Sequence, residues 1–432
     1  MTIFSSFYSG LSGLSTYSQA MNVIGNNIAN INTIGFKSGM TNFQDLFSRT
    51  VSGTERAYQV GLGVGIADVT TSLVQGAIQS TSNPTDIAIQ GNGFFMLKES
   101  TESDEYLFTR AGNFGINEDG YLSTPTGLLV QGYQAGPDGQ IDISEILPID
   151  LQSGKIISAS QTTSVTMSGN LKADDEIISA TMDSDDSTTY NFKQTVRIFD
   201  SRGGEHTLQI CFQKSGENAW NYSVFVDPDE LEGGTPATGL IEDGTLTFNE
   251  DGSMNTHTEG TTTAFTFIGA SQIADLDLDF GTGTADGGTG LDGLTQLVSE
   301  SSSINFYSQN GKGSGTLESI TIDSSGIITG YFSNGETRVL AQVILASFTN
   351  AAGLNKIGNN VFGQTVDSGS PINGVPGTGG RGSLVGNALE MSNVDLAAEF
   401  TNMITGQRGY QANSRIISTT DEMIQDLLMI KR

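Results

Sequence analysis

Only two histidines and one cysteine occur among 432 residues, so the side chains able to do nucleophilic or acid–base chemistry can be taken one at a time. A catalytic triad needs a base held by a carboxylate beside a nucleophile. His206 opens a β-like run directly after a turn and reads as structural or solvent-facing. His257 lies in a threonine-rich stretch with no partner motif and reads the same way. Cys211 sits between Ile210 and Phe212 in a β-like run, as a packed residue would, not a nucleophile. A lone cysteine excludes an intramolecular disulfide and any multi-cysteine zinc or iron–sulfur site.

The glycine-rich stretches Gly61 to Gly65 and Gly311 to Gly315 fit neither the dinucleotide fingerprint nor the phosphate loop, and read as joints. Gly287 to Thr295 (GGTGLDGLT) satisfies the calcium-binding nonapeptide once. Such sites draw ligands from successive turns of a β-roll, and one copy in a chain with 55 glycines is weak. The Asp183/Asp185/Asp186 and Asp275/Asp277/Asp279 clusters read as solvated acidic faces. No catalytic residue, cofactor or metal ligand is assigned.

What remains is a chain built for surfaces, and its charge is unevenly placed. Asp and Glu number 48 against 19 Lys and Arg, a formal charge of −29. Such a balance argues against nucleic acid, whose phosphates need a basic surface, and against a polybasic membrane anchor. Residues 1–60 sum to +1 and 381–432 to −1, so the whole excess lies in 61–380. All eight prolines fall between Pro84 and Pro376. No stretch approaches the ~18 apolar residues of a membrane span. Residues 1–30 show no basic region followed by an apolar run, so a soluble chain without a cleavable secretory signal is expected.

The neutral, proline-free ends read as helices. Steps alternating three and four pick out Phe4, Phe7, Leu11, Leu14, Met21 and Ile28 at one end. Leu396, Phe400, Met403, Tyr410, Ile417, Ile424 and Leu428 follow the same rule at the other. That spacing is a coiled-coil seam. Ser392 or Asn393 before Val394 is the expected N-cap of a helix about 55 Å long at ~1.5 Å per residue. Gly10, Gly13, Gly25, Gly406 and Gly409 each cost up to ~1 kcal/mol against alanine, so neither helix should be stable alone. The seams therefore call for partner surfaces: the opposite terminus, and neighbouring copies. The plainer alternative is that the two helices only close one intramolecular domain.

The body reads as β structure. Asn117 to Tyr121 (NEDGY) is a hairpin signal. Val196 to Asp227 reads as a three-strand meander, with Leu208, Ile210 and Phe212 on one face of its middle strand. Trp220, Tyr222, Val224 and Val226 share a face of the third. The expected fold is α+β, mostly β: paired terminal coiled-coil helices and an outer β domain with a second all-β domain inserted into it. The expected boundaries are 1–31 with 390–432 for the helices, 32–70 for a bracing segment, 71–150 with 311–389 for the outer domain, and 151–310 for the insertion.

Four blocks carry a family resemblance. The first, Ser9 to Gly39, contains Asn26, Asn27, Ala29 and Asn30, followed by Thr33 and Gly35-Phe36-Lys37. The others are Ser82 to Phe95, Phe108 to Leu122 and Leu389 to Arg432. In this order they resemble the bacterial flagellar rod and hook proteins, and Ser333 to Gly369 is similar to the hook members. The resemblance implies a structural protein with no enzymatic activity, exported without a signal peptide by the flagellar type III apparatus and located extracellularly in the hook. It implies a helical homopolymer whose terminal helices line a channel, forming a curved universal joint that passes torque from rod to filament. The partners implied are the chain itself, the distal rod protein, the hook cap protein and the hook–filament junction protein. Two alternatives stay open: a stiff distal rod protein, and a secreted acidic calcium-binding adhesin.

Overall fold

The computed structural model describes residues 2–46, 48–52, 57–103, 105–234, 236–298 and 301–430. They form two compact units. The first comprises Met1–Gly154, Glu318–Tyr331 and Thr337–Arg432; the second comprises Lys155–Leu317 and Phe332–Glu336.

In the first unit, helix α1 (Thr2–Ala29) pairs with helix α2 (Leu396–Ile430). Asp395 caps α2, its Oδ1 accepting from Ala397 N at 2.8 Å and Ala398 N at 3.2 Å. The expected caps Ser392 and Asn393 lie outside the helix. Asn393 is committed elsewhere, accepting from Ser38 N and donating to the carbonyls of Ser72 and Val74. Beside α1, Gly39–Asp45 and Val64–Thr71 pair antiparallel. Thr16 donates to Val64 O at 3.1 Å, and the Tyr17 ring meets Phe43 at 5.6 Å.

The β part of this unit is organised around Phe94–Lys98, which pairs antiparallel with Leu107–Thr109, Leu129–Gln134 and Leu345–Ser347. Its core collects Phe94, Met96, Phe108, Ile344 and Phe362, with edge-to-face rings such as Phe94–Phe362 at 5.6 Å. The NEDGY turn closes a hairpin between Gly115–Ile116 and Leu122–Ser123, with Gly120 at φ +85°. Two short pairings place the residues that matter below. Ile78–Ser80 pairs with Ala388–Glu390, and Ile87–Gln90 with Ser383–Gly386.

The second unit is all β. The meander continues beyond three strands: Phe192–Phe199, Glu205–Gly216, Ala219–Phe225, Leu240–Phe248 and Met254–Thr262 form one antiparallel five-stranded sheet in chain order. Leu208, Ile210, Phe212, Trp220, Tyr222, Val224 and Val226 all enter its core, as period-2 alternation requires. A second sheet is centred on Ser164–Lys172, which adds Val165, Met167 and Leu171. The opposite face of the meander is covered too, since Cys211 is buried there and Gln213 donates to the carbonyls of Ala180 and Thr189.

Candidate assembly site: the helix pair and its root

The two helices meet through small residues. A Cβ on Gly13 would come within 2.7 Å of the Asn413 side chain, and one on Gly409 within 2.6 Å of the Tyr17 ring. Gly10 faces Ile417 in the same way and Gly406 faces Met21. Glycine has no side chain to hold two backbones apart, which is what close approach requires. Of the glycines expected only to weaken the helices, Gly10, Gly13, Gly406 and Gly409 thus form the ridge along which they touch, while Gly25 faces open space.

That ridge draws Met21 and Ile417 of the apolar seam into the contact. Phe7, Leu14, Ile28, Met403 and Ile424 are half-buried. Leu11 is 48% exposed, Phe400 50% and Leu428 65%, and Leu396 and Tyr410 are exposed as well. The Phe4 side chain lies outside the described residues. A series of exposed apolar side chains along a helix pair, left open by its own chain, marks a docking surface.

The root of the pair is built from the signature. Asn26, Asn30 and Thr33 close the end of α1 with a ladder: Asn30 Nδ2 donates to Asn26 Oδ1, and Thr33 Oγ1 to Asn30 Oδ1. Ala29 is exposed. Asn27 is buried and ties three elements, donating to Gly39 O at 2.8 Å and Glu399 Oε1 at 3.0 Å while accepting from Gly39 N. Gly35 has φ +66°, and a Cβ there would strike Ala111 N at 2.5 Å. Phe36 is buried, with the Lys356 ammonium 5.5 Å from its ring.

Lys37 then enters a buried ionic cluster. Its Nζ lies 2.6 Å from Glu390 Oε1, and Arg110 Nη1 lies 3.3 Å from Glu390 Oε2, with side chains 0%, 3% and 0% exposed for Lys37, Arg110 and Glu390. The cluster also serves the backbone: Lys37 donates to Val74 O, Arg110 to Gly91 O, and Glu390 Oε1 accepts from Gly76 N. Burial lowers the pKa of Lys37 and of Arg110, against the pull of Glu390. Arg110, Glu390 and Glu399 were not singled out from sequence, and Asn393 only as a helix cap; a charged residue between apolar neighbours, as Glu390 is between Leu389 and Met391, was the available signal.

The remaining titratable groups brace folds. His206 stacks on Phe267 at 3.5 Å between two carboxylates, Glu230 Oε2 at 2.6 Å from Nδ1 and Asp200 Oδ2 at 3.4 Å from Nε2. Among the described residues no hydroxyl or thiol hydrogen-bonds to its ring. Cys211 is buried, and burial pushes its thiol up to about 11. In the nonapeptide, Asp292 accepts from Thr282 N. Among the described residues, no group of three or more His, Cys, Asp or Glu could hold a metal ion.

His257 does have partners, which only the cross-strand register supplies. Tyr222 Oη lies 2.9 Å from His257 Nε2 and donates to Glu242 Oε1 at 3.0 Å, while Glu242 Oε2 is buried without a partner among the described residues. Burial, then the neighbouring Glu259, Asp275 and Asp243, push Glu242 up to about 7, against the Tyr222 hydrogen bond. A carboxyl raised on folding stabilises fully below its unfolded value near ~4.3, and that contribution is lost as pH rises through 7. Glu242→Gln is therefore expected to raise the stability of the second unit at pH 8 by on the order of 3 kcal/mol, and hardly at pH 4. Calorimetric melting of both chains across that range checks it; equal gains at both pH values would contradict it.

With this geometry in view, the similarities are specific. The flagella basal body rod protein family matches residues 7–37 and the flagellar hook protein FlgE/F/G D1 domain 88–175. The flagellar basal body protein FlaE D2 domain matches 170–312, and the flagellar basal body rod FlgEFG protein C-terminal family 385–430. The flagellar hook protein FlgE of Treponema pallidum (strain Nichols) is 36% identical over 470 residues, covering 99% of either chain. That of Escherichia coli (strain K12) is 33% identical over 427 residues, 98% of this chain and 100% of its own. A crystal structure of Helicobacter pylori flagellar hook protein FlgE2 is a looser likeness, 16% identical with a TM-score of 0.48 over 72% of this chain and 100% of that one. The rod and adhesin alternatives find no support in these relatives. Similar from end to end to proteins of the bacterial flagellar hook, the chain belongs to the flagellar hook protein family.

Proposed function

We propose that this chain polymerises head to tail into a curved tube, a universal joint that transmits torque while bending, and that it catalyses no reaction. The observation that carries this reading is the helix pair, joined along a glycine ridge with Leu11, Phe400, Tyr410 and Leu428 facing outward. Burying such side chains is worth ~1.5–3 kcal/mol each, and only further copies can supply the covering surface along the whole helix. Contacts that do not close on themselves give a filament. The seam residues are the proposed contacts between copies, and the signature from Asn26 to Lys37 is the proposed anchor that fixes both helix roots to the β body. The second unit, with its acidic and glycine-rich surface, is the proposed outer layer. The distal rod, cap and junction proteins are the proposed partners at the ends, and the type III apparatus the proposed export route.

The test is direct. The purified chain, concentrated or seeded with fragments of its own polymer, is expected to give hollow tubes in electron micrographs and a sedimenting fraction with a critical concentration. A species that stays monomeric at every concentration and under seeding would overturn the reading.

A further inference from the structure

Helix α1 has no charged side chain anywhere between Thr2 and Ala29. All the charge of the helix pair therefore sits on α2, and it is sorted. Near the N-terminal end, Asp395 is used as the cap and Glu399 is held by Asn27. Arg408 and Arg415 follow, then Asp421, Glu422 and Asp426.

Arg408, Arg415 and Glu422 are seven residues apart, so they lie on one stripe of the helix, and all three are exposed, as is Asp426 one turn further on. Neither arginine can be neutralised within its own helix. Side chains pair at three and four positions along a helix. Those neighbours are Ile404, Thr405, Gln411 and Ala412 for Arg408, and Gln411, Ala412, Ser418 and Thr419 for Arg415. Among the described residues neither arginine makes an ion pair. Glu422 and Asp426 likewise face each other with like charge. One exposed stripe thus carries a positive half and a negative half, with no counter-charge on α1 to meet either.

Resting on the tubular reading above, we infer that α2 of one copy docks in parallel beside α2 of a second copy, with Arg408 and Arg415 of one against Asp421, Glu422 and Asp426 of the next. A displacement of two heptads along the axis, about 20 Å at ~1.5 Å per residue, brings the two halves together. In-register pairing sets like charge against like and is rejected. The charges therefore select the stagger between copies, while the apolar residues beside them supply the cohesion. Complementary charge sets register and suppresses wrong pairings more than it adds affinity.

The experiment uses the full chain in three forms. The double reversal Arg408→Glu with Arg415→Glu is expected to raise the critical concentration for tubes by roughly tenfold or more. It should melt as the parent does, because both sites are exposed. Adding Glu422→Arg and Asp426→Arg inverts the acidic half of the shared stripe and restores complementarity there, and is expected to recover tubes at nearly the parental concentration. A double reversal that polymerises like the parent overturns the inference and leaves the tubular reading standing. A fourfold variant as defective as the double also overturns it. A parent chain that forms no tube overturns the tubular reading itself.

Discussion

Replacing Glu390 with alanine is expected to cost the first unit on the order of 3–5 kcal/mol, read as a lowered urea midpoint of the full chain. The carboxylate is the single anion between two buried cations, Lys37 at 2.6 Å and Arg110 at 3.3 Å. Removing one side of a buried pair leaves the other charge without solvent or partner, which is worse than never having placed it. Swapping the whole cluster for apolar residues would not be neutral here, although it often is for buried pairs. Val74 O accepts from Lys37, Gly91 O from Arg110, and Gly76 N donates to Glu390, so the backbone would lose all three bonds together. Glu390→Gln should fall between parent and alanine, because the amide keeps an acceptor but no charge. A denaturation midpoint for Glu390→Ala within error of the parent would show that the cluster does not hold this unit together.

The consequence for assembly follows from position. Glu390 ends the strand Ala388–Glu390, six residues before α2 begins, and its carbonyl accepts from Gly35 N at the turn that follows α1. The cluster therefore sits where both helices leave the β body. Loosening it frees two helices that are marginal alone.

Much of the framework was readable from local pattern. Alternation with period 2 put Leu208, Ile210 and Phe212 on one face and Trp220, Tyr222, Val224 and Val226 on another, and all are in the core. The proline-free ends are helices, and they pair. The cap of α2 was misplaced because three cap-forming residues lie between 392 and 395. The choice among them is made by Asn393, whose side chain is taken by Ser38, Ser72 and Val74, over three hundred residues away in the chain. The partners of His257 were invisible for a related reason. Tyr222 and Glu242 reach it only through the register of adjacent strands, where Tyr222 faces Gly244 and His257 faces Leu246. Gly13 and Gly409 show a third kind of limit. A propensity scale registers what glycine costs one helix, but not how closely it lets a second helix approach.

Leu11→Asp and Phe400→Asp are expected to leave the isolated chain intact and to abolish its polymer. In the single chain Leu11 is 48% exposed and Phe400 50%, so a carboxylate at either place reaches water. Exposed substitutions of this kind shift stability by about 0.5 kcal/mol or less. In a tube these faces meet other copies, and an unpaired carboxylate enclosed there costs several kcal/mol at every repeated contact. A loss of that size at each contact moves the critical concentration by several powers of ten, since every 1.4 kcal/mol is about tenfold. The measurement pairs melting of the dilute chain with sedimentation and electron microscopy of the concentrated one. Parental melting with no pelletable tube is the expected result. Tubes of parental yield from either variant would place these side chains outside every contact between copies, and the apolar faces of the helix pair would then need some other cover.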